Sequence, residues 1–201
     1  MVVSKDNQDG FNKLRESYNL NKSPEGLYAL MLCSTNNMMR YNKSFNYNQT
    51  FGKRSYNSST EKKLNEFVKY ISNYSEKIIF SSENFNKINI TKPSMVYIDP
   101  PYTSVQDKNG NISKRKISEA GYNNFYTTED DINLYNYILN LDKNNHSFML
   151  SGLLEHDGKQ SWIMNKLIKS GFNYKELSFN YNGVSRKKNN KNSKEIIIIN
   201  Y

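Results

Sequence analysis

An α/β fold follows from three features of this sequence. Short apolar, partly β-branched runs alternate with stretches of helical spacing, the run at 95–98 is cut off by two prolines, and the last two runs lie close enough to pair antiparallel. In chain order, residues 11–40 read as helical. Ser23-Pro24-Glu25 supplies an N-cap and first turn for the helix carrying Leu27, Leu30, Met31 and Ser34. Residues 45–56 read as a hairpin or loop. Leu64, Phe67, Val68 and Ile71 are spaced for a helix over 63–74 that packs one face on a sheet, and Ile78-Ile79-Phe80 reads as the strand after it. Met95-Val96-Tyr97-Ile98 is the next strand. A polar loop leads to a helix that starts at Thr128-Glu129-Asp130, with Thr128 as N-cap and Ile132, Leu134, Tyr135, Ile138 and Leu141 inward. Residues 147–150 form a strand, 160–169 a helix closed by Gly171, and 172–181 and 196–201 the final strands.

The densest signal is Asp99-Pro100-Pro101-Tyr102, directly after the strand at 95–98. Each proline locks φ and lacks an N–H, leaving carbonyl oxygens facing outward at the carboxyl end of a strand, where open α/β sheets commonly bind ligands. Asp99 and the Pro100 carbonyl can accept two hydrogen bonds from one exocyclic NH₂, and Tyr102 offers a ring for base stacking, worth roughly 1–3 kcal/mol. Two acceptors that draw an aromatic amine toward tetrahedral geometry localise its lone pair for nucleophilic attack. A strand that merely ends in a proline turn is the plainer reading of four residues.

The tetrapeptide resembles the signature of amino-group DNA methyltransferases, and residues 11–201 resemble the Dam-type family of DNA adenine-N6 methyltransferases, especially restriction-modification members acting on GATC. The resemblance rests on an ordered series: Tyr18-Asn19, Asn37, Arg40-Tyr41-Asn42, and Tyr47-Asn48-Gln49-Thr50-Phe51-Gly52-Lys53-Arg54, similar to the family's Phe-Asn-x-Pro-Phe-Gly-x-Arg hairpin. Tyr47 stands where Phe is usual, and Thr50 where Pro is usual. Residues 78–85 resemble the third strand and following Asp-Phe, with Asn84 replacing Asp. Residues 122–134, 150–156 and 194–201 resemble the helix entry, the Leu-Ser-Asn-x-Leu-Glu-His stretch and the closing strand.

The resemblance implies an incomplete S-adenosylmethionine-dependent, Rossmann-like methyltransferase sheet with a small helical and hairpin DNA-recognition insertion. Residues 1–74 would form the recognition region and 75–201 the catalytic α/β region. Asp99, Pro100 and Tyr102 would be catalytic, and Asn84, Phe85 and Asp99 would meet S-adenosyl-L-methionine. Double-stranded DNA would be read by Arg40, Tyr47, Asn48, Gln49, Phe51, Lys53, Arg54 and Arg186. Arginines suit guanine and amides suit adenine. For Tyr47 and Phe51 the other reading is packing within the hairpin, and for Arg40 a structural ion pair. Because the adenine amine lies inside the stack, its nucleotide must be flipped out. The segment 103–122 would close over it, although 106–116 also reads as an ordinary lengthened surface loop.

Family members also carry a Phe-x-Gly-x-Gly loop after a first strand, and none of the nine glycines here forms Gly-x-Gly. The expectation is therefore the carboxyl-terminal two-thirds of such an enzyme. A separate polypeptide would supply the cofactor-binding strands, or the chain would be an inactive DNA-binding remnant. In the family's sheet order those strands lie between the runs at 78–80 and 95–98, which predicts an open edge on the Asp99 strand. Methylation of RNA or of protein glutamine explains the hairpin less well.

A formal net charge of +9 favours polyanionic partners, with basic clusters at Lys53-Arg54, 108–116 and 186–194, each of which also reads as a solvated loop. A single cysteine, Cys33, excludes a disulfide framework and reads as a packing residue. His146 and His156 have no metal-ligand spacing, so no metal is expected. With no signal segment and no apolar stretch approaching ~20 residues, the cytoplasm is the default location.

Overall fold

The computed structural model describes residues 4–101, 104–106, 112–114, 126–156, 158–178 and 193–201. The chain divides into two compact units, the first reaching Ser82 and the second beginning at Glu83.

In the first unit, helix α1 (Gln8–Leu20) is capped by Asn7, and α2 (Pro24–Cys33) by Ser23, whose side chain accepts from the Gly26 N–H. Pro24 opens α2 at a position where no N–H is needed. The two helices pack around Phe11, Tyr18, Leu30, Cys33 and Tyr47, with Leu14, Leu27, Tyr41 and Phe51 against this core. The burial expected of Cys33 is observed, at 3 % exposure. Residues 40–56 form a narrow loop held by isolated bridges, Tyr41 to Tyr47 and Ser34 to Phe51. Asn42 shapes its tip by accepting from the N–H groups of Ser44 and Asn46.

Two expectations fail in this unit. Helix α3 (Ser58–Asn73), capped by Asn57, buries no residue, and Phe67, Val68 and Tyr70 are exposed. Spacing reveals that a helix has an apolar stripe and not what lies against it. Residues 78–80 are not a strand either: they pair with nothing in the described sheet, and Ile79 and Phe80 are 93 % and 75 % exposed. A β-branched run becomes a strand only beside a partner.

The second unit is built on a mixed sheet in the order β3-β2-β5-β4-β7-β6, with β1 also paired to β4. Strand β4 (Ser147–His156) is its axis. One edge carries β7 (Ser193–Ile199) antiparallel; the other carries β1 (Met95–Ile98) parallel along 147–150 and β5 (Lys159–Ser161) antiparallel at 155–156. Antiparallel β6 (Asn173–Leu177) completes that side beside β7. The polar loop expected after Asp99 contributes β2 (Ser104–Gln106) and β3 (Ile112–Lys114), a hairpin that joins the sheet through β5.

Helices α4 (Thr128–Lys143) and α5 (Trp162–Lys169) bury Leu134, Ile138, Leu141, Ile163, Met164 and Leu167 against Phe148, Leu150, Ile196 and Ile198. These sheet residues alternate along their strands, so they share one face. Helix α4 starts one residue earlier than expected. Thr127, with extended backbone, is the N-cap and Asp130 closes a capping box; the spacing Thr128 to Asp131 would serve equally, but Asp131 is buried at 2 % exposure. Helix α5 begins at Trp162 because 159–161 pair with β4 as β5, and Gly171, at φ 94°, terminates it as expected.

Candidate active site

Asp99 and Pro100 follow the last residue of β1, at the carboxyl end of the parallel β1/β4 pair. The register that sets Ile98 beside Leu150 brings Ser151 next to Asp99. The Ser151 hydroxyl lies 3.1 Å from Asp99 Oδ1, 3.4 Å from the Ile98 carbonyl and 3.1 Å from the Tyr97 hydroxyl. A serine has one proton to donate and two lone pairs, so the consistent chain runs Tyr97 O–H to Ser151 Oγ and Ser151 O–H to Asp99. Asp99 itself is exposed, with Pro100 and Pro101 half-buried. A carboxylate offers about four lone-pair directions, more than the Ser151 hydroxyl alone can occupy.

Ser151 and Tyr97 were not singled out in the sequence. A signal existed for each: period two sets Tyr97 and Asp99 on one face of β1, and Ser151 falls in the Leu-Ser-Gly-Leu-Leu-Glu-His stretch. Tyr102 and Arg186 lie outside the described residues.

Asn84 and Phe85 belong to the same unit as Asp99. Asn84 caps a 3-10 turn over Phe85–Lys87 by accepting from the Asn86 N–H. Phe85 packs edge-on to Tyr137 of α4, with ring centroids 5.4 Å apart, and against the core.

The recognition candidates between residues 40 and 54 lie in the first unit, and burial divides them. Tyr47 is 1 % exposed, its hydroxyl donates to the Met38 carbonyl, and its ring meets Tyr18 and Tyr41 edge to face. Gln49, at 7 % exposure, donates to the Thr35 carbonyl and accepts from the Thr50 N–H. Phe51 packs 5.4 Å from the Phe11 ring. For Tyr47 and Phe51 the packing alternative is what the fold displays: a phenol sealed in the core cannot wedge into a duplex. Asn48 and Arg40 are half-buried, whereas Lys53 and Arg54 are exposed, with Arg54 donating to the Asn37 side chain. Gly52 locks the loop to α2. A Cβ there would lie 2.3 Å from the backbone of Ser34, and its N–H donates to the Cys33 carbonyl at 2.8 Å.

Burial raises the Cys33 thiol and the Tyr47 phenol above their ordinary pKa values. Tyr41 is raised by burial and then by its hydrogen bond to Tyr18, 2.8 Å away. In the second unit, burial followed by the Asp131 carboxylate pushes Tyr126 well up.

The sequence profile of the D12 class N6 adenine-specific DNA methyltransferases matches residues 3–181. The chain belongs to that family. Among similar proteins, the modification methylase StsI of Streptococcus sanguinis is 31 % identical over 204 residues, covering 99 % of this chain and 30 % of that protein. The modification methylase LlaI of Lactococcus lactis subsp. lactis is 27 % identical, and the type II methyltransferase M.FokI of Planomicrobium okeanokoites 28 %, each again covering 99 % of this chain and 30 % of the relative. The chain thus spans about 30 % of the length of the curated relatives it matches.

Methyltransferase membership implies S-adenosylmethionine as methyl donor. The residues present fit only part of that molecule's needs. Asp99 offers an acceptor, but Asn84 and Phe85 are engaged in their turn and in packing on α4, and no described glycine sits in a strand-to-helix turn. The site around Asp99 is therefore read for what it does to an amine. Among the described residues no helix is long and apolar enough to cross a membrane, and no group of three or more His, Cys, Asp or Glu side chains is placed to hold a metal ion.

Proposed function

We propose that this chain takes part in site-specific N6 methylation of adenine in double-stranded DNA, with Asp99 and the Pro100 carbonyl gripping the amine of a flipped base and Tyr102 stacking on it. The observation that carries the proposal is the Asp99 carboxylate, exposed at a strand end and oriented by the Tyr97–Ser151 hydrogen bonds. Two acceptors converging on one NH₂ favour a pyramidal nitrogen over the planar one, and so act mainly on the transition state. The methyl group comes from S-adenosylmethionine when that molecule is bound. Sequence is read by the loop at 40–56, with Lys53 and Arg54 as its exposed cations and GATC or a related site as target. Gly52 supports this reading, because the glycine of the resembled hairpin motif stands where only a glycine fits.

The methyl-donor site is completed by further strands that pair with the open edge of β1. The support is that β1 pairs only with β4 in the described sheet and exposes Met95 and Tyr97 at 51 % and 63 %. An edge of this kind is an invitation to strand addition.

The test is transfer of labelled methyl to duplex DNA by this chain with and without an added Gly-x-Gly strand-loop segment, followed by digestion with methylation-sensitive nucleases. Transfer by the reconstituted pair, abolished by Asp99→Ala while duplex binding persists, is the expected result. Binding with no transfer under any condition would make the chain a catalytically inactive recognition remnant, and loss of binding in Asp99→Ala would make that carboxylate structural.

A further inference from the structure

The tip of the loop at 40–56 carries an aromatic side chain that its motif does not single out. Phe45 is 60 % exposed, whereas Tyr47, two residues on, is buried. Phe45 lies in the turn closed by the Tyr41–Tyr47 bridge, with a φ of 58°. That left-handed conformation is uncommon for any residue with a side chain and is strained for a bulky ring. A glycine or an asparagine would close the same turn more easily, so the fold does not ask for phenylalanine here.

The turn is nevertheless firmly held. The Phe45 N–H donates to the Asn42 carbonyl at 3.0 Å, and the Asn42 N–H donates to the Asn46 carbonyl at 2.9 Å. Lys22, just beyond α1, donates to the Phe45 carbonyl at 3.1 Å and to the Asn19 side chain at 3.0 Å. Asn19 in turn accepts from the Tyr47 N–H at 2.7 Å and donates to the Tyr47 carbonyl at 3.1 Å. The tip is thus tied through the end of α1 to the buried Tyr47, and it presents the Phe45 ring on a backbone that is already ordered. A strained conformation over-determined by its surroundings points to a role in what the residue meets.

Charge narrows what that is. Residues 40–56 contain two lysines and two arginines and neither aspartate nor glutamate. Lys43, Lys53 and Arg54 are exposed. An aromatic ring among cations, with no acid in the loop, matches a polyanion that also offers flat apolar faces, as stacked bases do.

We propose that Phe45 is a wedge that inserts between stacked base pairs of duplex DNA, with Lys43 on the flanking phosphates. Insertion unstacks a base step, and the contact between ring and base offsets that cost. Because the turn holds the ring outward before DNA arrives, little further ordering accompanies binding. Phe45 takes the part that Tyr47 and Phe51, packed in the core, cannot. The inference rests on the reading that this loop faces DNA, and it adds that the loop opens the stack.

The test uses the full chain and two labelled duplexes of one sequence, one intact and one carrying a single abasic site, where the stack is already broken, with 2-aminopurine beside it. By fluorescence anisotropy the parent should bind the abasic duplex about fivefold or more tighter than the intact one, and binding should change the 2-aminopurine emission. Phe45→Tyr should keep both effects. Phe45→Asn, which suits the left-handed turn, should melt at an equal or higher temperature and lose both. Lys53→Ala combined with Arg54→Ala should weaken both duplexes alike. No preference in the parent, or one that survives Phe45→Asn, would overturn the wedge, while the Lys53 and Arg54 result still decides whether the loop faces DNA. Binding indifferent to all of these substitutions would remove the loop from DNA and overturn both readings. Loss of the preference in Phe45→Tyr as well, or a fall in the melting temperature of Phe45→Asn, would make the ring a structural contact and overturn the wedge.

Discussion

The Ser151 hydroxyl reaches Asp99 across a strand pair, and that contact defines the first prediction at the scale of single residues. A hydrogen bond to a charged acceptor is worth about 1.5–3 kcal/mol, so Ser151→Ala should lower kcat of the reconstituted enzyme by about tenfold or more while leaving duplex affinity within twofold. Steady-state kinetics with Ser151→Thr as a rescue variant would check it, and an unchanged kcat would remove Ser151 from the positioning of Asp99. Gly52 is a second single-atom test. An added methyl would meet the Ser34 backbone at 2.3 Å, where no side-chain rotation can relieve it. Gly52→Ala should destabilise the first unit by about 3 kcal/mol, the top of the overpacking range. Native Cys33, buried and with a raised pKa, should react slowly with a thiol reagent in the parent and much faster in this variant; equal rates would show that the loop yields without cost.

Elements depend on groups that no single helix or strand contains. Tyr18, Tyr41 and Tyr47 come from α1 and from the two sides of the 40–56 loop, and they meet through one hydrogen bond and two edge-to-face contacts. Burial raises the phenols of Tyr41 and Tyr47 above their ordinary value of 10.0, so the folded unit keeps protons that the unfolded chain gives up. Their contribution is fully present below pH 10 and is lost as pH climbs beyond it. The melting temperature should be flat from pH 7 to 9 and fall above pH 10, with a shallower fall in Tyr41→Phe; a midpoint that holds through pH 11 would contradict the burial argument. Local chemistry made parts of these elements readable in advance. Ser23-Pro24 started α2 and Gly171 stopped α5 as the cap rules require. The cap expected at Thr128 falls instead at Thr127, whose capping box with Asp130 leaves Asp131 buried.

At the scale of the whole molecule, charge is the property that needs no coordinates. A net charge of +9 on 201 residues predicts, under the proposed function, that affinity for a non-specific duplex falls about tenfold or more between 50 and 200 mM salt, measurable by fluorescence anisotropy. Salt-independent binding would mean that the basic clusters do not meet phosphate. Period-two and 3.6-residue patterns determined the α/β class, the strand bearing Asp99, the antiparallel final pair and the buried Cys33, because each depends on neighbours along the chain. Register and partnership belong to residues far apart in sequence, and only the tertiary structure decided them. It set Ser151 beside Asp99, sealed Tyr47 inside its unit, and left residues 78–80 and the apolar stripe of α3 without a described partner. A sequence states what each segment can bury or bond; which surface arrives to meet it is fixed when the chain folds.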